Sequence, residues 1–214
     1  MIKGIIFDLD GTTLNTIDDI QNCLNIVLKN NNLPIKTYDE VRINLGQGSR
    51  NLIKFSIKEK DNNKLIDKLT KEYLELYKVK YNIKTKPYDG IKELINELKV
   101  KNIKLAINTN KPNNIAINII SQHFPGNIFD VIIGSRDSIP NKPDPYSVNE
   151  IVKFLELKKE DVLYVGDSET DIKTAKNAGL KSVGCLWGFR DLETLKKENT
   201  DIIISKPKEL LNYL

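Results

Sequence analysis

Ile5-Ile6-Phe7-Asp8-Leu9-Asp10-Gly11-Thr12 is an apolar run that ends in two acids and a Gly-Thr turn. A short unbroken apolar run bounded by turn residues reads as a buried strand. Side chains alternate along a strand, so Asp8 and Asp10 share a side if the strand geometry persists, and in the turn both converge on one site. Two carboxylates at a buried strand end are unfavourable unless something compensates them. A hard divalent cation such as Mg²⁺, which takes oxygen ligands, is the natural partner. The bland alternative is an Asp-Gly turn whose acid is a loop residue, and the rest of the chain decides between the two.

Further apolar runs follow in the second part of the sequence. Ile103–Ile107 ends in Asn108-Thr109-Asn110, Asp130–Ile133 is a second run, and Val162–Val165 runs into Gly166-Asp167-Ser168. Strands are also expected near 182–186 and 201–204. Helical patterns lie between them, over about 90–100 (after Pro87-Tyr88-Asp89-Gly90), 113–123 and 207–213. Asp144-Pro145 starts another helix, with Asp144 as N-cap and Pro145 at the first helical position. Ser168-Glu169-Thr170-Asp171 has the form of a capping box. Strands alternating with helices predict an α/β fold with a doubly wound, Rossmann-like parallel sheet.

Residues 15–81 read differently, as helix throughout. Thr16 is expected to cap a helix over 17–30, with Asp18 and Asp19 in its first turn and Ile20, Leu24, Val27 and Leu28 as its apolar stripe. Thr37-Tyr38-Asp39-Glu40 is a capping box for a second helix, which Gly46 stops. Ser49 caps a third, running to about Lys58, and a fourth covers 63–80. The expected organisation is a core of residues 1–14 and 82–214 with an all-helical cap, 15–81, set over the carboxyl ends of the strands. Open α/β sheets hold ligands at that edge.

The 214 residues suit one larger domain, or a core with an insertion, and 40% hydrophobic with 29% charged residues is ordinary for a soluble globular chain. No apolar run approaches a membrane span. Asp8 and Asp10 interrupt the only apolar run near the start, so a signal peptide is not expected and a cytoplasmic location is. Cys23 and Cys185 show no metal-type spacing and read as small buried hydrophobes in a reducing compartment. A net charge of +4, with lysines scattered among acids, describes a solvated surface rather than a nucleic-acid footprint. It is compatible with a small anionic substrate. No membrane partner is expected, and monomer and homodimer both stand open.

Four groups fall at strand ends or in the loops after them: Asp8 with Asp10, Thr109 with Asn110, Lys142, and Asp167 with Asp171. Each has an ordinary reading: a helix cap for Thr109, a surface lysine for Lys142, a turn for Asp167, a cap for Asp171. Their shared location favours one site. Asp8 suits a nucleophile and Asp10 a proton donor and acceptor. Asp167 adds a carboxylate for a metal, Thr109 a hydroxyl with nearby backbone N–H groups, and Lys142 a charge for phosphate oxygens. Phosphoryl transfer is mostly positioning and charge neutralisation, for which this inventory suffices.

Asp8-Leu9-Asp10-Gly11-Thr12, Asn108-Thr109-Asn110-Lys111, Lys142-Pro143-Asp144-Pro145 and Gly166-Asp167-Ser168-Glu169-Thr170-Asp171 together resemble the four motifs of the haloacid dehalogenase superfamily, phosphatase branch. The resemblance spans essentially the whole chain. It implies an aspartyl-phosphate formed on Asp8, acid/base work by Asp10, phosphate binding by Thr109, Asn110 and Lys142, and Mg²⁺ held by Asp8, the Asp10 backbone carbonyl and Asp167. Asp171 would steady Lys142 from behind. Within the superfamily the chain resembles phosphoglycolate phosphatases, through Asp19-Ile20, Leu45-Gly46-Gln47-Gly48, Pro87-Tyr88-Asp89-Gly90 and Val183-Gly184-Cys185-Leu186-Trp187-Gly188-Phe189. Asn15-Thr16 departs from the Asp-Ser of many relatives.

The alternatives are a β-phosphoglucomutase-like phosphomutase, a pyrophosphatase and, outside enzymes, a receiver-type signalling module phosphorylated on Asp. A dehalogenase is disfavoured, since a halide needs no proton from Asp10. In the cap, Gly46-Gln47-Gly48-Ser49-Arg50 is the expected substrate segment. Gln47 and Arg50 are its contacts, Arg50 reaching a substrate carboxylate unless it is spent in a surface ion pair. His123 reads as helix-end or surface charge rather than a catalyst, and Trp187 either gates the site or packs after a strand.

Overall fold

The computed structural model describes residues 1–58 and 61–214. β1 (Gly4–Phe7) is central in a six-stranded, all-parallel sheet, with β4 (Lys104–Pro112) on one side and β6 (Val162–Gly166) on the other. β5 (Val131–Ser135) lies outside β4, and β7 (Lys181–Cys185) and β8 (Ile202–Ile204) follow β6. The expected α/β architecture is present.

The alternation in β1 explains the layering. Ile5 and Phe7 face a core formed with α5 (Ile91–Val100) and α6 (Asn113–His123). Ile6 faces the opposite way, with Ala106 and Tyr164, onto α7 (Tyr146–Phe154) and α8 (Glu169–Ala178). Each face must bury its own apolar set, so helices cover both sides. Register then places the chemistry. Phe7 is level with Ile107 and with Val165, so Asp8, Asn108 and Gly166 stand side by side at the carboxyl end of β1.

Between β1 and the rest lie α1 (Ile17–Asn30), α2 (Tyr38–Arg42), α3 (Ser49–Ser56) and α4 (Asn63–Lys80). They pack around a separate apolar cluster that includes Leu24, Leu28, Ile53, Ile66 and Leu69. The chain enters and leaves this block through a two-stranded antiparallel ribbon, β2 (Leu14–Asn15) against β3 (Lys86–Pro87). Two-residue strands carry too little pattern to be read from sequence. The short α9 (Leu192–Lys197), capped by Asp191, was not foreseen either.

Several local expectations shift. Thr16 precedes α1, but its hydroxyl is buried without a hydrogen-bond partner, so it caps nothing. Asp19 does more than favour a helix start: its buried carboxylate accepts from the backbone N–H groups of Ile83, Lys84 and Thr85 and from the Thr85 hydroxyl. That ties α1 to the segment leaving the cap. The Thr37–Glu40 capping box forms, but α2 ends at Arg42, before Gly46. Gly48, at φ 83°, occupies the N-cap of α3, and Ser49 is its first residue. Pro145, not Asp144, sits at the N-cap of α7, though the Asp144 carboxylate still accepts from the Tyr146 N–H at 2.8 Å. Residues Pro207–Tyr213 form a 3₁₀ helix.

Candidate active site

Asp8 leaves β1 with its backbone N–H bonded to the Val165 carbonyl at 2.8 Å. Its carboxylate is buried and accepts from Lys142 Nζ at 2.7 Å. The same ammonium donates to Asp171 Oδ1 at 2.6 Å and to the Asn108 carbonyl at 3.2 Å, so its three protons are all used. Burial works against charge on Lys142, but Asp171 and Asp8 outweigh it and hold the amine well above its ordinary range. The Asp8 carboxyl is pushed well above the usual carboxylate range by burial first and by Asp171 next, while Lys142 pulls the other way.

Asp167 follows β6 into the same space. Thr12 Oγ1 donates to its Oδ1 at 3.2 Å and the Phe189 N–H to its Oδ2 at 2.7 Å. Burial, then the neighbouring Asp171 charge, raise it to about 7. The backbone closes tightly over it: a Cβ on Gly188 would lie 2.3 Å from Asp167 Cβ, and one on Gly11 2.5 Å from Oδ2. The buried Asp171 is otherwise engaged. Its Oδ2 accepts from the Ser168 hydroxyl at 2.6 Å, the Ser168 N–H at 3.0 Å and the Asp167 N–H at 3.2 Å.

Asp8, Asp167 and Asp171 bring carboxylate oxygens within 4.8 Å of one another. Among the described residues, Lys142 is the one ammonium hydrogen-bonded within this group, to Asp8 and Asp171. Three buried carboxylates against one ammonium leave a negative excess, which a divalent cation on Asp8 and Asp167 would neutralise. The donor set therefore fits Mg²⁺ or a similar hard ion. Asp171 fits the role of a ligand poorly, because Lys142 and the Ser168 cap already occupy it.

Asp10 lines the same cavity as Asp8. Lys111 Nζ donates to its two carboxylate oxygens at 2.8 and 3.1 Å and to the Tyr77 hydroxyl, from α4, at 2.7 Å. From the sequence, Lys111 has no role beyond its place in the Asn108–Lys111 motif, and Tyr77 has none. Lys111 looks like any of the chain's many lysines, and its partners are 101 and 34 residues away. The cavity is lined by Asp8 and Asp10, by Thr109, Asn110 and Lys111, by Leu45, Gly46, Gly48 and Ser49, and by Tyr73 and Tyr77. Its volume is about 50 Å³. One water needs ~10–15 Å³ by that measure, so the cavity suits a phosphoryl group with a few further atoms.

Thr109 accepts from the Lys111 N–H at 3.2 Å and lines the cavity, leaving its hydroxyl proton free to turn to a ligand. Asn110 does something else with its side chain. It donates to the Gly46 carbonyl at 2.9 Å and the Lys142 carbonyl at 3.2 Å, and accepts from the Lys142 N–H at 2.9 Å. It ties the Gly46 loop to the backbone of Lys142, and only its own backbone remains for an anion. Arg190 reinforces that closure by donating to the carbonyls of Arg42, Ile43 and Leu45.

Arg50 takes the surface ion pair that the sequence left open for it. Its guanidinium is held by Asp67 at 2.9 Å and Asn63 at 2.9 Å on the cap surface, and neither Arg50 nor Gln47 lines the cavity. The surface ion pair won because α4 offers two acceptors within reach of the first turn of α3. Trp187 donates its indole N–H to the Thr12 carbonyl at 2.9 Å and packs on the main core, so it is a packing residue. His123 bonds Asn82 on the surface at 2.7 Å, and burial lowers its pKa. Both cysteines are free and buried.

A parallel sheet with paired acids after β1, a buried lysine in the loop after β5 and a third acid after β6, beside a block of four helices, defines a haloacid dehalogenase-type hydrolase. The sequence matches the profile of the Haloacid dehalogenase-like hydrolase family over residues 5–185, and the chain belongs to that family. Within it, the likeness runs to the phosphoglycolate phosphatases. The Phosphoglycolate phosphatase of Aquifex aeolicus is 33% identical over all of this chain and 97% of its own length. A "Putative pyrophosphatase PpaX" of Caldanaerobacter subterraneus is also 33% identical, over all of this chain and 94% of its own. The crystal structure of a "putative phosphoglycolate phosphatase" from Lactobacillus delbrueckii superposes with a TM-score of 0.92 at 29% identity, covering 97% of this chain and 96% of that one. No helix among the described residues is long and apolar enough to cross a membrane.

Proposed function

We propose that this chain is a cytoplasmic, Mg²⁺-dependent phosphatase that hydrolyses a small phosphorylated metabolite, phosphoglycolate-like in size, through an aspartyl-phosphate on Asp8. The observation that carries the reading is the Asp8 carboxylate, ion-paired to Lys142 and lining, together with Asp10, a cavity of about 50 Å³. In the first half-reaction an Asp8 oxygen bonds to phosphorus and the ester P–O bond breaks, while Asp10 delivers a proton to the leaving oxygen. In the second, Asp10 takes a proton from water, the water oxygen bonds to phosphorus, and the acyl phosphate bond breaks to free Asp8 and phosphate. Thr109 and the backbone of Asn110 steady the phosphoryl oxygens, and Lys142 neutralises charge on both Asp8 and the transferring group. Asp8, the Asp10 carbonyl and Asp167 would hold the metal, which when bound adds charge neutralisation at the phosphoryl group.

Residues 15–81 act in this reading as the cap, closing over the substrate and excluding water. With Arg50 turned away, recognition of the rest of the substrate falls to the lining of the closed cavity, in which Gly46, Gly48 and Ser49 present backbone near the N-terminus of α3. The 33% identity to a protein named as a pyrophosphatase keeps inorganic pyrophosphate as the second substrate to assay. The test is phosphate release from a panel holding 2-phosphoglycolate, pyrophosphate, a hexose phosphate and p-nitrophenyl phosphate, with Mg²⁺ and with EDTA. Multiple-turnover release with Mg²⁺, abolished in Asp8→Asn, is expected. Stoichiometric phosphorylation without turnover would indicate a receiver module, and isomerisation without release a mutase.

A further inference from the structure

Lys111 is the one buried cation of the cavity that the mechanism above leaves without work. Its side chain is 2% exposed. An ammonium has three protons and no acceptor, and here all three are spent, two on Asp10 and one on the Tyr77 hydroxyl. Gripping both oxygens fixes the plane of the Asp10 carboxyl as well as its position. Tyr77 belongs to α4, in the helical block, whereas Lys111 and Asp10 stand on β4 and after β1. The phenol is itself held: its ring stacks on Tyr73, centroids 5.3 Å apart, and meets the Tyr81 ring edge-on at 6.3 Å. Three elements of the cap and the core thus meet at one ammonium.

We propose that the Tyr77–Lys111 bridge is the positioning device for Asp10, and that it makes the placement of this acid depend on the cap being closed. The proposal rests on the phosphatase reading, in which Asp10 moves the proton. Lys111 acts through Asp10 and does not bind the substrate, since its donors are filled from within the protein. When α4 moves away, Lys111 loses its third partner and the rotamer that aims it, and Asp10 loses its fixed plane. Proton delivery then belongs to the closed state, in which water is excluded from the reacting centre.

Leaving-group chemistry separates this from a structural role. An alkoxide needs a proton to leave, whereas p-nitrophenolate departs without one. The value of kcat/KM counts steps only through cleavage of the ester bond, so it isolates that proton. Lys111→Met and Tyr77→Phe are compared with the parent on 2-phosphoglycolate, on glycerol 3-phosphate, which lacks the carboxylate, and on p-nitrophenyl phosphate. In Lys111→Met we expect kcat/KM to fall about 10²-fold on both alkyl esters and less than about tenfold on the aryl ester. Tyr77→Phe, which keeps the ring stack, should show the same ordering with losses of about three- to tenfold. Equal losses on alkyl and aryl esters would overturn the proposal in favour of a structural role. A loss confined to 2-phosphoglycolate would overturn it by making Lys111 a reader of the substrate carboxylate. A parent enzyme that releases no phosphate from these three, from pyrophosphate or from a hexose phosphate would remove the phosphatase reading itself, and the proposal with it.

Discussion

Replacing Asp19 by alanine should destabilise the protein by about 3–5 kcal/mol, although the residue lies outside the proposed chemistry. Its Oδ2 accepts from Thr85 N at 2.8 Å, Thr85 Oγ1 at 2.8 Å, Lys84 N at 2.9 Å and Ile83 N at 3.0 Å. Ile83 and Lys84 are exposed, so water can take over their two donors. Thr85 is buried, and its N–H would be stranded, together with a hydroxyl left with the Tyr81 carbonyl as its other partner. Each buried donor left without an acceptor costs roughly 1–3 kcal/mol, and loss of bonds to a charged group adds to that. For a chain of this size each kcal/mol moves Tm by about 2–4 °C, so a fall of about 6–20 °C is expected. Asp19→Asn can keep an oxygen at the Oδ2 position, retaining the bonds without the charge, and should lose about half as much. Urea unfolding followed by Trp187 fluorescence and by circular dichroism measures both variants. A loss below about 1 kcal/mol in Asp19→Ala would refute the reasoning, because it would mean that the donors at 83–85 find other partners at no cost.

Two further outcomes follow from the acid cluster. Gly188→Ala would place a Cβ 2.3 Å from Asp167 Cβ and 2.4 Å from the Gly11 carbonyl, so displacing Asp167 should weaken Mg²⁺ binding about 10–100-fold by calorimetry; an unchanged Kd would contradict the assignment of Asp167 as a ligand. In metal-free protein Asp167 titrates near 7, raised by burial and Asp171 above its unfolded range. A carboxyl raised on folding stabilises the folded state when protonated and loses that contribution as pH climbs from about 4 through about 7. Metal-free protein should therefore be more stable at pH 5 than at pH 8, and Mg²⁺, which competes with that proton, should raise Tm more at pH 8. Equal Mg²⁺ shifts at the two values would exclude proton competition at this site.

The sheet was legible because parallel strands buried on both faces read as short apolar runs, and in β1, β4 and β6 such runs end in Asp8, Asn108 and Gly166-Asp167. Both capping boxes, Thr37 with Glu40 and Ser168 with Asp171, formed as read, because each is a local hydrogen-bond pattern complete within four residues. What escaped depends on partners distant in sequence. Asp19 looks like a first-turn acid until the chain returns at 83–85, and nothing near Asn110 in sequence shows that Gly46 and Lys142 bond its amide. Arg50 and Lys111 show the same limit from opposite sides. Both are single basic residues beside glycine- or asparagine-rich loops. Tertiary structure sends one to Asp67 on the surface and buries the other against Asp10.

The central claim is that Asp8 becomes covalently phosphorylated, and the most direct measurement is acid quenching of the working enzyme followed by peptide mass mapping. Purified protein is mixed with Mg²⁺ and saturating substrate, quenched within the first turnovers, digested and analysed. A phosphoryl group on the side chain of Asp8 is predicted, transient in the parent enzyme and accumulating in Asp10→Asn when the phosphoryl donor has a good leaving group, since loss of the Asp10 base slows water attack. Asp8→Asn should carry none. Steady phosphate release with no adduct on Asp8 in either protein, or an adduct on another residue that survives Asp8→Asn, would contradict the account.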